Sequence, residues 1–97
     1  MIEEAEGGLR VTAPMVIANA RALLEAGHRL LRSGQQSGET LLDLAGVDEV
    51  DSSALSVIFA WQQRGGERGV TLRIANPPAS MISLAALYGV SELLPLA

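Results

Sequence analysis

The side chains most able to do chemistry crowd into one stretch, "LLDLAGVDEVDSSALSVIFAW", from Leu41 to Trp61. Asp43, Asp48, Glu49 and Asp51 bring four carboxylates, and Ser52, Ser53 and Ser56 bring three hydroxyls. A calcium loop needs carboxylates at fixed offsets along twelve residues. This cluster lacks that spacing, and it reads as a solvated acidic loop. Asp51 and Ser52 stand directly before an apolar helical pattern. There a side-chain oxygen can accept from the N–H groups that a helix start leaves without partners. A hydroxyl facing solvent at the same point could also carry a phosphate, because the positive end of the helix dipole tolerates the added charge. Capping and switching or docking are therefore both open at Asp51 and Ser52.

Other chemistries find little support. The single His, His28, falls in the middle of a helical pattern and reads as a partly buried boundary residue. No serine shares a motif with it, as a catalytic triad would require. With no Cys and one His, neither a disulfide nor a structural zinc site is expected. A phosphate loop needs a Lys, and the chain has none; "GGERG" follows a helix and enters a strand, the reverse of a dinucleotide fingerprint. The chain has 97 residues and a net charge of −4. Its basic residues, Arg10, Arg21, Arg29, Arg32, Arg64, Arg68 and Arg73, are scattered, not gathered into the stripe of a duplex binder. No nucleic acid, metal or cofactor is expected. No apolar run approaches the ~18 residues of a membrane span, and "MIEEAEGG" lacks a signal-peptide layout. A cytoplasmic protein follows, peripheral to a membrane only through a partner.

The elements that must position the Asp51–Ser56 stretch can be read from periodicity. One domain over residues 1–97 is expected. "MIEEAE" suggests a short edge strand, and Gly7-Gly8 a turn. "LRVTA" alternates Leu9, Val11 and Ala13 with Arg10 and Thr12, the pattern of a half-buried strand. From Met15 to about Ser33 the apolar residues recur at helical spacing, and "SGQQSGE" ends that helix. "TLLDLAG" reads as a strand buried on both faces. A helix from about Ser52 to Arg64 follows, apolar over more than one stripe, closed by Gly65, Gly66 and Gly69. "VTLRIA" is another alternating strand. Asn76 is expected to cap the next helix, with Pro77 at its first position and Gly89 as its C-terminal stop. Ser91 starts one more turn. Alternating strands and helices imply an α/β fold with a small, mostly parallel central sheet and helices packed on it.

The stretch "LLDLAGVDEVDSSALSVIF" resembles the signature of STAS domains, the fold of bacterial anti-sigma-factor antagonists. That pattern runs strand, D-L-[SA]-G-V, a short loop, then D-[ST]-[SAG]-[GA]-L and a helix. In the antagonists the first hydroxyl after the Asp is the phosphoacceptor, which the resemblance places at Ser52. "ANPPASMISLAALYGVSELLPLA" is similar to the end of the MlaB branch, the cytoplasmic STAS subunit of the Mla ABC transporter. It carries Leu87-Tyr88-Gly89-Val90 and Leu94-Pro95 at the branch's L-Y-x-[LV] and L-P positions. Two departures are the short N-terminus and "TAPMV" where many STAS proteins have G-E-L-D.

This resemblance implies a non-enzymatic subunit that binds and supports the ATPase of a phospholipid-transport complex maintaining outer-membrane lipid asymmetry. The expected partner surface is Asp51, Ser52, Ser53, Leu55, Ser56 and Phe59, on a helix whose wide apolar face would be exposed. The alternative is an anti-sigma-factor antagonist switched by phosphorylation at Ser52.

Overall fold

The computed structural model describes residues 1–34 and 36–97; Gln35, in the loop expected after the first helix, lies outside them. The chain runs β1 (Ile2–Ala5), β2 (Gly8–Val11), α1 (Ile17–Arg32), β3 (Gly38–Asp43), α2 (Ser53–Gly66), β4 (Val70–Ala75) and α3 (Ala79–Leu87). A single 3-10 turn, Ser91–Leu93, follows. The four strands lie in the order β1-β2-β3-β4. β1 is antiparallel to β2 through a tight turn at Glu6-Gly7, while β2, β3 and β4 are parallel. Each parallel step needs a crossover, and α1 and α2 provide the two.

The period-2 alternation of β2 and β4 sends Leu9, Val11, Val70, Leu72 and Ile74 into one core. Leu23 and Leu31 of α1, Ala54, Leu55, Val57, Ile58 and Trp61 of α2, and Met81 and Ala85 of α3 meet them there. β3 obeys the same alternation, contrary to the expectation of a strand buried on both faces. Thr40 and Leu42 point inward, but Leu41 is 40% exposed. Among the described residues no helix covers the outer face of the sheet, which carries ion pairs instead. Arg10 reaches Glu3 at 3.5 Å and Asp43 at 3.9 Å, and Arg73 reaches Glu39 at 3.9 Å.

Three local details differ from the periodicity reading. Met15 is not helical: it is fully buried and forms an isolated parallel bridge with Val50. α1 therefore begins two residues later, at Ile17. Asn76 does not cap α3. It adopts φ 55° and donates from Nδ2 to Asp43 Oδ1 at 3.0 Å, and the helix starts after Pro77-Pro78. α2 runs through Gly65 and Gly66, with its last turn continued by Glu67.

The end of α3 matches the reading. Gly89 takes φ 71°, Val90 N–H donates to Ala85 O at 2.8 Å, and Gly89 N–H donates to Ala86 O at 3.1 Å. This is the paired bonding of a Schellman stop. Beyond it the tail returns to the sheet. Ile74 N–H donates to Pro95 O at 2.7 Å and Ala97 N–H to Ile74 O at 2.9 Å, covering part of the β4 edge.

Candidate functional site

The loop between β3 and α2 is pinned at both ends. At its start Asp43 Oδ1 accepts from Ala45 N–H at 2.9 Å and from Asn76. The Asn76 and Ala45 hydrogen bonds hold the Asp43 carboxyl below its ordinary pKa of 3.8, with Arg10 adding to the effect. At its end, Glu49 O accepts from Met15 N–H at 2.9 Å and Asp51 N–H donates to Met15 O at 3.1 Å. This short zipper brings the start of α1 beside the start of α2.

Asp51 uses both carboxylate oxygens there. Oδ1 accepts from the Ser53 N–H at 2.9 Å and also from the Ser53 hydroxyl. Oδ2 accepts from Ile17 N–H at 2.9 Å, at the first residue of α1. One carboxylate thus satisfies orphan N–H groups on two helices, reaching across 34 residues of chain to the first of α1. The Ser53 hydroxyl, then the Ile17 N–H, favour the ionised form and lower the Asp51 pKa from its ordinary 3.8.

Because Asp51 caps α2, Ser52 does not. Ser52 has helical dihedrals (φ −62°, ψ −21°), makes no capping bond with its side chain, and is exposed. Its hydroxyl is left for solvent or a partner. Ser56, one turn on, is exposed as well, and Phe59 is half-buried.

Two shallow apolar grooves flank this serine edge. One, of about 500 Å3, lies between α2 and the end of α3, with Ile17, Ser52, Leu55, Phe59, Tyr88 and Val90 in its walls. The other, of about 360 Å3, lies between α1 and α2 and includes Ala20, Leu24, Val57 and Ala60. Ile17, Ser53 and Ser56 border both. Ile17 is 74% exposed and Tyr88 57% exposed, and large apolar side chains left in water together mark interaction surfaces.

Leu55 needs correction as an exposed partner residue. It is 5% exposed and belongs to the core, forming the floor of the first groove. The helix is apolar over so many positions because the sheet, α1 and α3 all pack on it, with Ala54, Val57, Ile58 and Trp61 buried too. At this site the large apolar side chains that face solvent are Ile17 and Tyr88, which sequence reasoning did not place in the partner surface. Each fits the apolar spacing of its helix but sits at the helix end, where spacing does not say whether a neighbour covers it.

His28 and the acidic loop stay apart from this site. His28 Nε2 is buried without a hydrogen-bond partner, in a crevice beside Ala60, Gln63, Arg64 and Glu67. Among the described residues, no group of three or more His, Cys, Asp or Glu is placed to hold a metal ion. No helix there is long and apolar enough to cross a membrane.

A hairpin opening a parallel sheet, helices on one face and an Asp-capped serine at the start of α2 define a STAS domain. The family model described as "Mlab, STAS domain" matches residues 2–95, and the chain belongs to that family. No curated protein matches the chain. Solved structures share the fold, three of them as follows. A Thermotoga maritima protein described as an anti-sigma factor antagonist has 16% identity and a TM-score of 0.76, over 99% of this chain and 83% of that one. An anti-sigma-factor antagonist (STAS) domain protein from Planctomyces limnophilus has 13% identity and a TM-score of 0.74, over 99% and 86%. The murine Solute Carrier 26 family member A9 anion transporter has 20% identity and a TM-score of 0.69, over 87% of this chain but only 14% of that protein.

Proposed function

We propose that this chain is a non-catalytic, cytoplasmic docking subunit of a Mla-type phospholipid-transport ABC complex, binding and supporting its ATPase. The observation that carries the reading is the surface at the start of α2. An exposed Ser52 with no capping duty lines the first apolar groove with Tyr88, and Ile17, Ser53 and Ser56 form the edge shared with the second. The "Mlab, STAS domain" family match supports the choice of partner. The ATPase would seat apolar side chains in the grooves, with Ser56 hydrogen-bonding on the edge between them and Ser52 in the wall of the first. Asp51 and Ser53 would hold that edge in shape, and Phe59 would line its far end.

The test is co-expression with a Mla-type ABC ATPase from the same genome, followed by pull-down and ATP turnover. Wild type should form a stable complex with altered turnover. Ser56→Arg and Ser52→Glu, both at exposed positions, should fold and lose it. Retained binding in both variants would remove this surface from the interface.

The same exposed Ser52 hydroxyl favours a second reading, an anti-sigma-factor antagonist switched by phosphorylation at Ser52. It requires a kinase partner that adds a phosphate-sized mass to wild type and none to Ser52→Ala. An unchanged wild-type mass after exposure to the cognate kinase would count against it.

A further inference from the structure

We infer that Asp51 is the positioning residue of the docking surface, tying the first residue of α1 to the first turn of α2 so that both grooves share one wall. The functional part of this inference rests on the docking reading above; the structural part stands apart from it. Ile17 borders both grooves, and its N–H is held by Asp51 Oδ2. The other oxygen of the same carboxylate holds Ser53, which also borders both. The backbone bonds Met15–Glu49 and Asp51–Met15 lie immediately behind this link. No other hydrogen bond involving a side chain joins the start of α1 to the start of α2 among the described residues. A partner that presses on Ile17 therefore acts on α2 through Asp51, and the two grooves respond as one.

The link is tested by NMR on the full chain, following the Ile17 and Ser53 amides as the pH is lowered. The other charged groups close along these elements are Asp48 and Glu49 in the loop and Arg21 on α1, the last paired with Glu25 at 3.4 Å. Asp51→Asn separates their influence from that of Asp51. The two amides should follow one shared titration curve in wild type, and neither should follow it in Asp51→Asn. An Ile17 amide that ignores the titration seen at Ser53 would overturn the link.

The docking consequence is tested by comparing Ile17→Pro with Ile17→Ala. Val16 is extended (φ −124°, ψ 165°), as a residue before proline should be. Proline at the first helical position gives up no bond within the helix. Ile17→Pro thus removes the donor to Asp51 in a chain that still folds, and Ile17→Ala keeps that donor while truncating the side chain. Having to order the first turn on binding, Ile17→Pro should bind the ATPase about tenfold more weakly than Ile17→Ala. Equal affinities would overturn the positioning role. A wild-type chain that forms no ATPase complex would overturn the docking reading, while the amide titration would still decide the link.

Discussion

Gly27→Ala sets two physical effects against each other. Alanine inside a helix is favoured over glycine by about 1 kcal/mol, so α1 considered alone should gain. The packing says otherwise. A Cβ at Gly27 would fall on the indole of Trp61, against Nε1 and Cε2, with Cζ2 at 2.8 Å. Trp61 is 1% exposed, and its Nε1–H donates to Leu24 O at 3.2 Å, so the ring is fixed from both sides. Overpacking of this kind costs ~1–3 kcal/mol, and displacing the indole loses a hydrogen bond worth ~1 kcal/mol more. After subtracting the propensity gain, the net loss is about 1–3 kcal/mol. For a domain of this size that lowers Tm by about 5–25 °C. Trp61 is the only tryptophan in the chain, so urea unfolding followed by its fluorescence reads both stability and the environment of the clashing ring. A Gly27→Ala chain as stable as wild type would refute the argument. Combining it with Trp61→Phe should recover ~1 kcal/mol relative to the sum of the two single changes, a coupling expected of side chains in direct contact.

Asp51 and Asp43 have folded pKa values lowered from 3.8 by their hydrogen bonds. Their contribution is complete above that value and is lost as the pH falls through the folded pKa. Wild-type Tm should therefore drop on acidification below about pH 4, and Asp51→Asn or Asp43→Asn should flatten that drop. An unchanged acid profile in both would show that these bonds do not contribute. Deleting Leu94–Ala97 uncovers Ile74 on the β4 edge and removes Leu94, which is buried. The loss should be ~1.5–3 kcal/mol from the leucine alone, with self-association of the freed edge visible by light scattering. A truncated chain that stays monodisperse at the wild-type Tm would contradict this. Leu55→Asp should unfold the chain, because Leu55 lies in the core; circular dichroism of a well-folded variant would disprove that placement.

Much of the fold could be read because its signals are local. The alternation of Leu9 and Val11, and of Val70, Leu72 and Ile74, is a property of each strand, and the structure keeps it. Asp51 before an apolar run is a cap signal, and Asp51 does cap α2. What could not be read depends on distant partners. Met15 fits a helical period, but the bridge to Val50 draws it into a strand-like pairing 35 residues away. Asn76 looks like a cap until Asp43 competes for its side chain. Leu41 and Leu42 are alike in sequence, and only an uncovered outer face separates their fates. The breadth of apolar residues on α2 suggested an exposed docking face. It reflects burial from three directions instead, while the exposed apolar groups bordering the grooves are Ile17 and Tyr88, brought together only by the fold.

The division of labour between Asp51 and its neighbour has a consequence for how the two positions can vary. Position 51 is tied to two helices, so substitutions there should lower cellular abundance whatever the partner demands. Position 52 contributes no capping bond, so a selection for folded protein should accept many side chains there, and only a selection for the assembled, working complex should reject them. Comparing abundance with function across every substitution at these two adjacent residues would separate fold from recognition at a resolution of one peptide bond.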